Sequence, residues 1–364
     1  MKFKSYIRIF AAFCIILFGT KVSGQPSETG SDYTISNYTV SNGLSSNEIS
    51  GIIQDSLGVL WMGTSNGLTR FDGYQFRKFR SDFQSSDLFV SNNIKHMAVD
   101  RNNNFWIVTD REIALFNPAT QESKPVDGVD ISIVKSVKSL CVTPDNKLLM
   151  GTAKGLYMYD ENHGGIKFLH KDYVNSVFQD SKGNIWIGTW GEGAYVYSLS
   201  DDSIVFRINE TFEKGMRITG FAEDSKNRIW ISTWDNNGLY RVDDNAQSPA
   251  QEDVVLRNFR ISEKSGMIHN PVIYKILYDN TYDVLWVATA GGLYRMGDLE
   301  TENSFEAFDK TLINGDEVWN IHVGSNGVLW ASVLGSGVSK IVKSSKIFAS
   351  LGALGISNVF EYKR

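Results

Sequence analysis

The glycine-rich stretch at 61–68, "WMGTSNGL", is the part of this 364-residue chain that most suggests a chemical role. A loop that cradles phosphate offers backbone N–H groups from a glycine-rich turn, adds a lysine and opens a helix. This stretch lacks both the lysine and the strand-to-helix context. We therefore interpret it as a tight turn between two strands, whose purpose depends on the larger fold.

Other residue types that could carry chemistry are present, but their spacing forms no known constellation. The histidines show no metal-ligand spacing such as His-Glu-x-x-His, and no Gly-x-Ser-x-Gly nucleophile motif occurs. Cys141 lies in the pattern of an inner strand, where a small core residue is expected. The five histidines are His96, His163, His170, His269 and His322. The sequence thus predicts no catalytic residue, no metal and no cofactor.

The N-terminus has the layout of a secretory signal peptide, which we place at residues 1–24. Three basic residues precede the apolar run at 9–19, and small residues follow at 22–24. The run of eleven residues is too short to span a bilayer unaided, and an uncleaved anchor is the alternative. The sequence therefore predicts an exported protein.

Charge and cysteine content restrict the partners and the source of stability. Removal of residues 1–24 would take away four positive charges and move the formal net charge from −5 to −9. An acidic exported protein is a poor candidate for binding nucleic acid. Cys141 would remain as the single cysteine, so the fold must be held by its apolar core without an internal disulfide.

Internal repetition is the strongest signal in the chain. "DSLGVLWMGTSNGLTRF" recurs as "DSKGNIWIGTWGEGAYVY" and "DSKNRIWISTWDNNGLYRV", and four weaker copies bring the number to seven. The copies lie at 55–71, 100–116, 143–159, 180–197, 224–242, 279–296 and 324–341. Their central residues are Trp61, Trp106, Leu149, Trp186, Trp230, Trp286 and Trp330, spaced 37 to 56 residues apart.

Each copy indicates four antiparallel strands. An apolar strand such as "ISGIIQ" leads into Asp-Ser-x-Gly, a type I turn signature, and a continuous apolar strand around the Trp follows. A glycine turn, "LTRF" and "YQFRKF" complete the unit. Four strands per period of about 40–45 residues are typical of a propeller blade. The predicted fold is all-β, a seven-bladed β-propeller of four-stranded antiparallel blades over 33–345, in which 33–40 pairs with the last blade.

The segment at 38–79 resembles the opening repeat of the two-component regulator propeller family, and the resemblance covers nearly all of 33–345. It implies the periplasmic sensor region of a hybrid two-component system histidine kinase. In that family two seven-bladed propellers precede a β-sandwich, one membrane span and a cytoplasmic kinase. Blade 2 departs from the repeat at Val108 and Glu112, and blade 3 at Leu149, positions that concern blade packing.

The last segment of the chain extends the repetition. "GISNVFEYKR" at 355–364 aligns with the inner strand of blade 4 at 173–182. We interpret 346–364 as the start of a truncated further repeat. The chain would then be a fragment of a longer sensor, and a truncated gene product is the alternative.

Three tryptophans are not explained by the repeat. Trp190 and Trp234 follow the repeat's Thr in blades 4 and 5, and Trp319 lies near the start of the inner strand of blade 7. All three are expected at the top face, the end of the propeller where the inner strands begin. An exposed Trp offers a flat surface on which a sugar ring stacks, and packing against a neighbouring blade is the alternative for each.

Blades 4 and 5 also lengthen the turn that follows the repeat's Thr, from three residues to four and five. The turns include Glu192, Asp235 and Asn236, which can hydrogen-bond to hydroxyl groups. Insertions confined to one face of a repeat array indicate a binding face, with drift in surface turns as the alternative.

A ring of variable residues is expected around the mouth of the central channel. Its positions, five residues before the turn Asp in blade 1, are Ser50, Lys95, Lys138, Asn175, Thr219, Tyr274 and Trp319. Among them Lys95, Lys138, Asn175 and Tyr274 join Trp319 as candidate ligand-binding residues. The two lysines suit an acidic group such as a uronate or a sulfate, although solvated surface lysines would give the same pattern.

These observations favour a periplasmic sensing or scaffold propeller of a hybrid two-component sensor, one that responds to glycan fragments and performs no chemistry of its own. The expected partners are an oligosaccharide or other small ligand, and further domains or a second protomer of a homodimeric parent anchored in the inner membrane. The alternatives are a free-standing lectin-like or protein-interaction propeller and, less favoured, a propeller lyase or glycosidase with carboxylates from different blades.

Overall fold

The computed structural model describes residues 33–344, except the segments listed at the end of this paragraph. The predicted signal peptide at 1–24 and the predicted further repeat at 346–364 lie outside the described residues, and both stay predictions. In the described part of the chain, no helix has the length and hydrophobicity of a membrane span. The excepted segments are 82–87, 162–164, 209–214, 236–237, 244–255, 260–271, 302–304 and 309–310.

The described residues form seven four-stranded antiparallel sheets, one for each repeat. The innermost strands are β2 (Ile49–Gln54), β6 (Ile94–Val99), β10 (Val137–Val142), β14 (Val174–Gln179), β18 (Ile218–Glu223), β22 (Ile273–Asp279) and β26 (Val318–Val323). The second strands are β3 (Leu60–Thr64), β7 (Phe105–Thr109), β11 (Leu148–Thr152), β15 (Ile185–Thr189), β19 (Ile229–Thr233), β23 (Val284–Thr289) and β27 (Leu329–Val333).

The third and outermost strands complete each sheet. The third strands are β4 (Gly67–Phe71), β8 (Ile113–Asn117), β12 (Gly155–Asp160), β16 (Ala194–Ser198), β20 (Leu239–Val242), β24 (Gly292–Met296) and β28 (Gly337–Lys343). The outermost strands are β5 (Phe76–Phe79), β9 (Glu122–Pro125), β13 (Gly165–His170), β17 (Ser203–Arg207), β21 (Leu256–Phe259), β25 (Phe305–Ala307) and β1 (Tyr33–Tyr38). A one-turn helix, α1 (Ile131–Val134), precedes β10.

The seven sheets close into a circle. Each innermost strand packs against the innermost strand of the next blade, and β26 of blade 7 packs against β2 of blade 1. The predicted seven-bladed β-propeller is therefore confirmed, with complete sheets also in blades 2 and 3, where the repeat is weakest.

Strand β1 closes the last blade, as predicted from the alternation at 33–40. It pairs antiparallel with β28, with Tyr33 opposite Lys343 and Tyr38 opposite Val338. The strand ends at Tyr38, two residues earlier than predicted, because Thr39 caps a short 3-10 turn at Val40–Asn42. This pairing covers the edge that β28 would otherwise expose.

The core lies between neighbouring blades. Every residue of the seven second strands is buried, as the continuous apolar pattern predicted. In the first interface the Trp61 ring of blade 1 lies 5.4 Å from the Phe105 ring and 5.5 Å from the Phe116 ring, both of blade 2. Small residues in the second strands let neighbouring blades come this close. A Cβ added to Gly188, for instance, would lie 2.5 Å from Ile218 Cγ2 of the next blade.

The opening motif of the repeat is an architectural turn. Thr64 Oγ1 donates to the Gly67 carbonyl at 2.8 Å and accepts from Asn66 N at 3.0 Å. Gly67 has a φ of +98°, and a Cβ at this position would lie 2.5 Å from the carbonyl oxygen of Phe79. Only glycine fits such a backbone, so "WMGTSNGL" carries a strand and a turn, as interpreted.

The turn aspartate of the repeat has a second role that the sequence did not indicate. Asp180 Oδ1 accepts from the backbone N–H groups of Lys182 at 3.0 Å and Asn184 at 2.8 Å, which holds the turn. Asp180 Oδ2 accepts from Trp186 Nε1 at 2.9 Å. The same indole contact occurs in blades 1, 5 and 6. The aspartate therefore satisfies the one polar atom of an otherwise buried tryptophan.

Candidate ligand-binding face

The top face, where the innermost strands begin, carries a chain of aromatic rings across blades 4 to 7. Ring centroids are 5.3 Å apart for Trp190 and Trp234, 5.5 Å for Trp234 and Tyr274, and 4.9 Å for Tyr274 and Trp319. The last pair is stacked, with an interplanar angle of 18°. We call these four residues the aromatic arc. The structure thus brings together all three unexplained tryptophans and Tyr274 of the predicted ring.

Two members of the aromatic arc are engaged in packing between loops. Trp190 is half-buried, stacks on Tyr173 at 6.0 Å and lies beneath the Arg217 guanidinium at 5.2 Å. The backbone N–H of Trp190 donates to the Tyr173 carbonyl, and that of Trp234 donates to the Arg217 carbonyl. These contacts favour the packing alternative for Trp190 and Trp234. Trp319 is different, because 47% of its surface is exposed.

The polar residues of the lengthened turns differ in their contacts and exposure. Asp235 forms an ion pair with Arg217, whose Nε lies 3.1 Å from Asp235 Oδ1, so this carboxylate is already engaged. The pairing raises the pKa of Arg217. Glu192 is exposed, and its backbone N–H donates a hydrogen bond to Thr189 Oγ1 at 2.8 Å. Asn236 lies outside the described residues.

A cavity of about 660 Å³ opens on the same face between blades 7, 1, 2 and 3. Lys95 and Lys138, both predicted as ligand-binding residues, line this cavity together with Trp319. Lys135 and Glu48, which the sequence did not single out, also line it. The cavity, hereafter the top cavity, therefore offers a flat aromatic surface and three ammonium groups to a single ligand.

The central channel lies directly beneath the top cavity. It encloses about 280 Å³ and is lined by residues of all seven innermost strands, including Asn175 and Tyr274. Ser50, His96 and Lys138 line both spaces, so the top cavity continues into the channel.

Side chains at the channel wall also hold successive blades together. Asn175 Nδ2 donates to the Ile218 carbonyl of the next blade at 2.8 Å, so its amide is partly committed to this contact. His96 Nε2 lies 3.2 Å from the Val137 carbonyl of the next blade. Asn175 and His96 thus contact the neighbouring blade as well as line the channel.

The electrostatics of the channel wall follow from burial. Burial lowers the pKa of His96 to about 4, and the nearby Lys138 and Lys95 add to the effect, so this imidazole is neutral near pH 7. Burial and a 2.6 Å hydrogen bond to Glu317 raise the pKa of Tyr274. Burial raises the pKa of the Cys141 thiol to about 11, which leaves little of the thiolate that nucleophilic chemistry needs.

No group of three His, Cys, Asp or Glu side chains in the described ranges is arranged to hold a metal ion. The residues that could bind a ligand at this face are therefore aromatic, ammonium and amide groups. Such groups recognise rings, hydroxyls and anions.

Comparison with known proteins agrees with the repeat. Residues 43–66, 169–191 and 213–235 match the family model described as two component regulator propeller. These segments contain the complete innermost and second strands of blades 1, 4 and 5. No curated protein sequence matches the chain.

Solved structures share the fold. One is the extracellular domain assigned to a hybrid two component system of B. thetaiotaomicron, with 21% identity and a TM-score of 0.68. That alignment covers 86% of this chain and 42% of the other, so the chain spans less than half of that domain's length.

Two lyases have the same architecture. Streptogramin B lyase is 11% identical over 87% of this chain and 100% of its own, with a TM-score of 0.66. Virginiamycin B lyase from Staphylococcus aureus is 11% identical over 85% of this chain and 99% of its own, with a TM-score of 0.63. At these identities the structural similarities establish the fold alone. The chain is therefore a seven-bladed β-propeller, three segments of which match the two component regulator propeller model.

Proposed function

We propose that this chain is an extracytoplasmic sensing propeller of a two-component regulator, and that its top face binds a glycan fragment. The family of its repeats and the extracellular domain with the same fold support the sensor role. The observation that carries the ligand proposal is the top cavity, where the exposed Trp319 ring and the ammonium groups of Lys95 and Lys138 meet.

The chemistry of the top cavity fits a sugar. One face of a pyranose ring is apolar and packs on a flat aromatic surface, and its hydroxyls accept hydrogen bonds from ammonium groups. Trp319 is held flat against Tyr274, whose hydroxyl is fixed by Glu317, so the stacking surface is preorganised. A preorganised surface loses little conformational entropy when a ligand binds.

The propeller itself acts as a rigid scaffold in this proposal. Its blades interlock through buried aromatic rings, and its circle is closed by β1. A signal would then arise when a bound ligand changes how this domain packs against other domains or a second protomer, a shift in populations without chemistry. This mechanism assigns no catalytic residue to the chain.

A calorimetric screen of neutral and acidic oligosaccharides against the chain tests the ligand proposal. For any glycan that binds, Trp319→Ala should weaken the affinity by about tenfold or more, the effect of losing about 1.4 kcal/mol. Tyr74→Ala is the matched control, because Tyr74 is 85% exposed in a turn at the opposite end of blade 1. Equal effects of the two substitutions would contradict a stacking role for Trp319.

Product analysis separates binding from catalysis. The proposal expects every bound glycan to be recovered unchanged after long incubation. Cleavage of any glycan by the purified chain would replace the sensor with an enzyme of the lyase or glycosidase type.

A further inference from the structure

Two rings of residues surround the upper channel, and neither ring contains a carboxylate. The second residues of the innermost strands are Ser50, Lys95, Lys138, Asn175, Thr219, Tyr274 and Trp319. The third residues are Gly51, His96, Ser139, Ser176, Gly220, Lys275 and Asn320. Fourteen positions thus hold three lysines and no acid, in a chain whose formal net charge is −5. Positive charge is concentrated at the top cavity and in the channel beneath it.

Lys275 is the deepest of these cations. Its Nζ donates to Asn320 Oδ1 at 2.7 Å, and no carboxylate of a described residue forms an ion pair with it. An ammonium group has three N–H donors, so two remain after the bond to Asn320. Burial lowers the pKa of Lys275 to about 8, which still leaves most of the side chain charged at neutral pH. A buried ammonium without a counterion is costly, and an anion would offset that cost.

The acids nearest this region are committed elsewhere or lie further out. Glu317 accepts a hydrogen bond from the Tyr274 hydroxyl at 2.6 Å. Glu48 lines the top cavity but not the channel. The pKa values of His96 and His322 are both lowered to about 4 by burial, so these imidazoles are neutral near pH 7. The charge that a ligand meets in the channel therefore comes from lysine.

We infer that the central channel binds a small oxyanion on the ammonium group of Lys275, with Lys138 at the entrance. The channel, at about 280 Å³, accommodates several waters of about 30 Å³ each, so a tetrahedral or planar oxyanion fits with part of its hydration. The oxyanion is free in solution or is the acidic group of a larger ligand in the top cavity. Only the second source rests on the proposed function, because a free oxyanion would bind whether or not a glycan does.

Inorganic sulfate and glucuronate are suitable probes, titrated into the chain by calorimetry at constant ionic strength set with chloride. We expect sulfate to bind, and Lys275→Met to weaken it by at least about tenfold, which corresponds to 1.4 kcal/mol. Lys78→Met is the matched control, since Lys78 is an exposed lysine on the outermost strand of blade 1 and should leave the affinity unchanged. Glucuronate should lose affinity in the same variant.

The outcomes separate the sites and the sources. No binding of either probe, or binding that Lys275→Met leaves unchanged while Lys138→Met removes it, would overturn the channel site. Sulfate binding alone supports a free oxyanion, and much tighter glucuronate binding supports a ligand-borne one. A neutral glycan that binds while sulfate does not would refute this inference and leave the proposed function intact.

A measurement on the unmodified chain covers the case in which Lys275→Met fails to fold. Sulfate affinity should fall between pH 7 and pH 9.5, because the Lys275 ammonium loses its proton near the low end of that window while surface lysines stay charged. His96, which lines the channel, and His322 are neutral throughout this range. An affinity that does not change across the window would refute the role of Lys275.

Discussion

Replacing the turn aspartate of blade 4 tests the structural logic of the repeat. Asp180→Ala removes a carboxylate that accepts four hydrogen bonds, from Lys182 N, Asn184 N, Asn184 Nδ2 and Trp186 Nε1, at 2.8 to 3.0 Å. The residue is only 7% exposed, so water cannot replace these contacts fully. The substitution leaves the indole N–H of Trp186 buried without a partner.

The expected loss follows from these contacts. A hydrogen bond to a charged group contributes about 1.5–3 kcal/mol, and an unsatisfied buried donor costs about 1–3 kcal/mol. Part of this loss is offset, because the variant no longer pays the desolvation cost of a buried carboxylate and water hydrates some of the freed turn amides. We expect the free energy of unfolding to fall by about 2–3 kcal/mol. For a domain of this size that corresponds to roughly 4–6 °C in Tm.

Chemical denaturation and differential scanning calorimetry measure both quantities, with Asp127→Ala as the matched control, because Asp127 is exposed between β9 and α1. Trp186→Phe removes the donor, and the double mutant should reveal a coupling of about 1–2 kcal/mol. Trp106→Phe should cost less, because Trp106 Nε1 has no partner among the described residues. A coupling near zero would refute the assignment of Asp180 as the partner of the indole.

Three further predictions concern packing and pH. Gly188→Val should lower the free energy of unfolding by about 1–3 kcal/mol, because its Cβ would lie 2.5 Å from Ile218 Cγ2, whereas Gly297→Val, with open space around it, should cost much less. Because the pKa of His96 is lowered to about 4 in the folded protein, the contribution of the neutral imidazole to stability is present above pH 6.5 and is lost as pH falls towards 4. The Tm of His96→Gln should therefore depend less on pH between 6.5 and 4 than the Tm of the wild type does. Hydrogen bonds from a lysine and an arginine lower the pKa of Glu300 to about 2, so its stabilisation is present above pH 4.5 and is lost as pH falls towards 2. The difference in Tm between wild type and Glu300→Gln should therefore disappear near pH 2. If Tm changes with pH in the same way in wild type and in His96→Gln or Glu300→Gln, the corresponding pKa argument is wrong.

The propeller was predictable because its information is local and repeated. The Asp-Ser-x-Gly turn, the buried Trp strand and the second glycine turn recur in sequence, and each specifies the same hairpin wherever it occurs. Even the closing strand at Tyr33–Tyr38 was indicated by alternation, although its end was not, because the cap at Thr39 depends on side-chain hydrogen bonds with no periodic signature.

The candidate site was predictable only in part. The unexplained tryptophans and the ring positions led to Trp319, Lys95 and Lys138, which line the top cavity together, and their role in binding stays a prediction. No sequence pattern distinguishes Trp319 from Trp190, because the exposure of one and the packing of the other depend on neighbours such as Arg217 that come from another blade. The sequence did not single out Lys275, although it directly follows Tyr274 of the predicted ring.

The sequence by itself determined the number of blades, the strands of each and the buried row that joins them, because these follow from residue periodicity and turn chemistry within one repeat. Only the tertiary structure decided which side chains share a space. Lys275 meets Asn320 across 45 residues of chain, and Trp319 of blade 7 faces the same cavity as Lys95 of blade 2. Closing the circle makes the first and last blades neighbours. The sequence pattern of a single repeat does not specify how seven equivalent blades are arranged around a common axis.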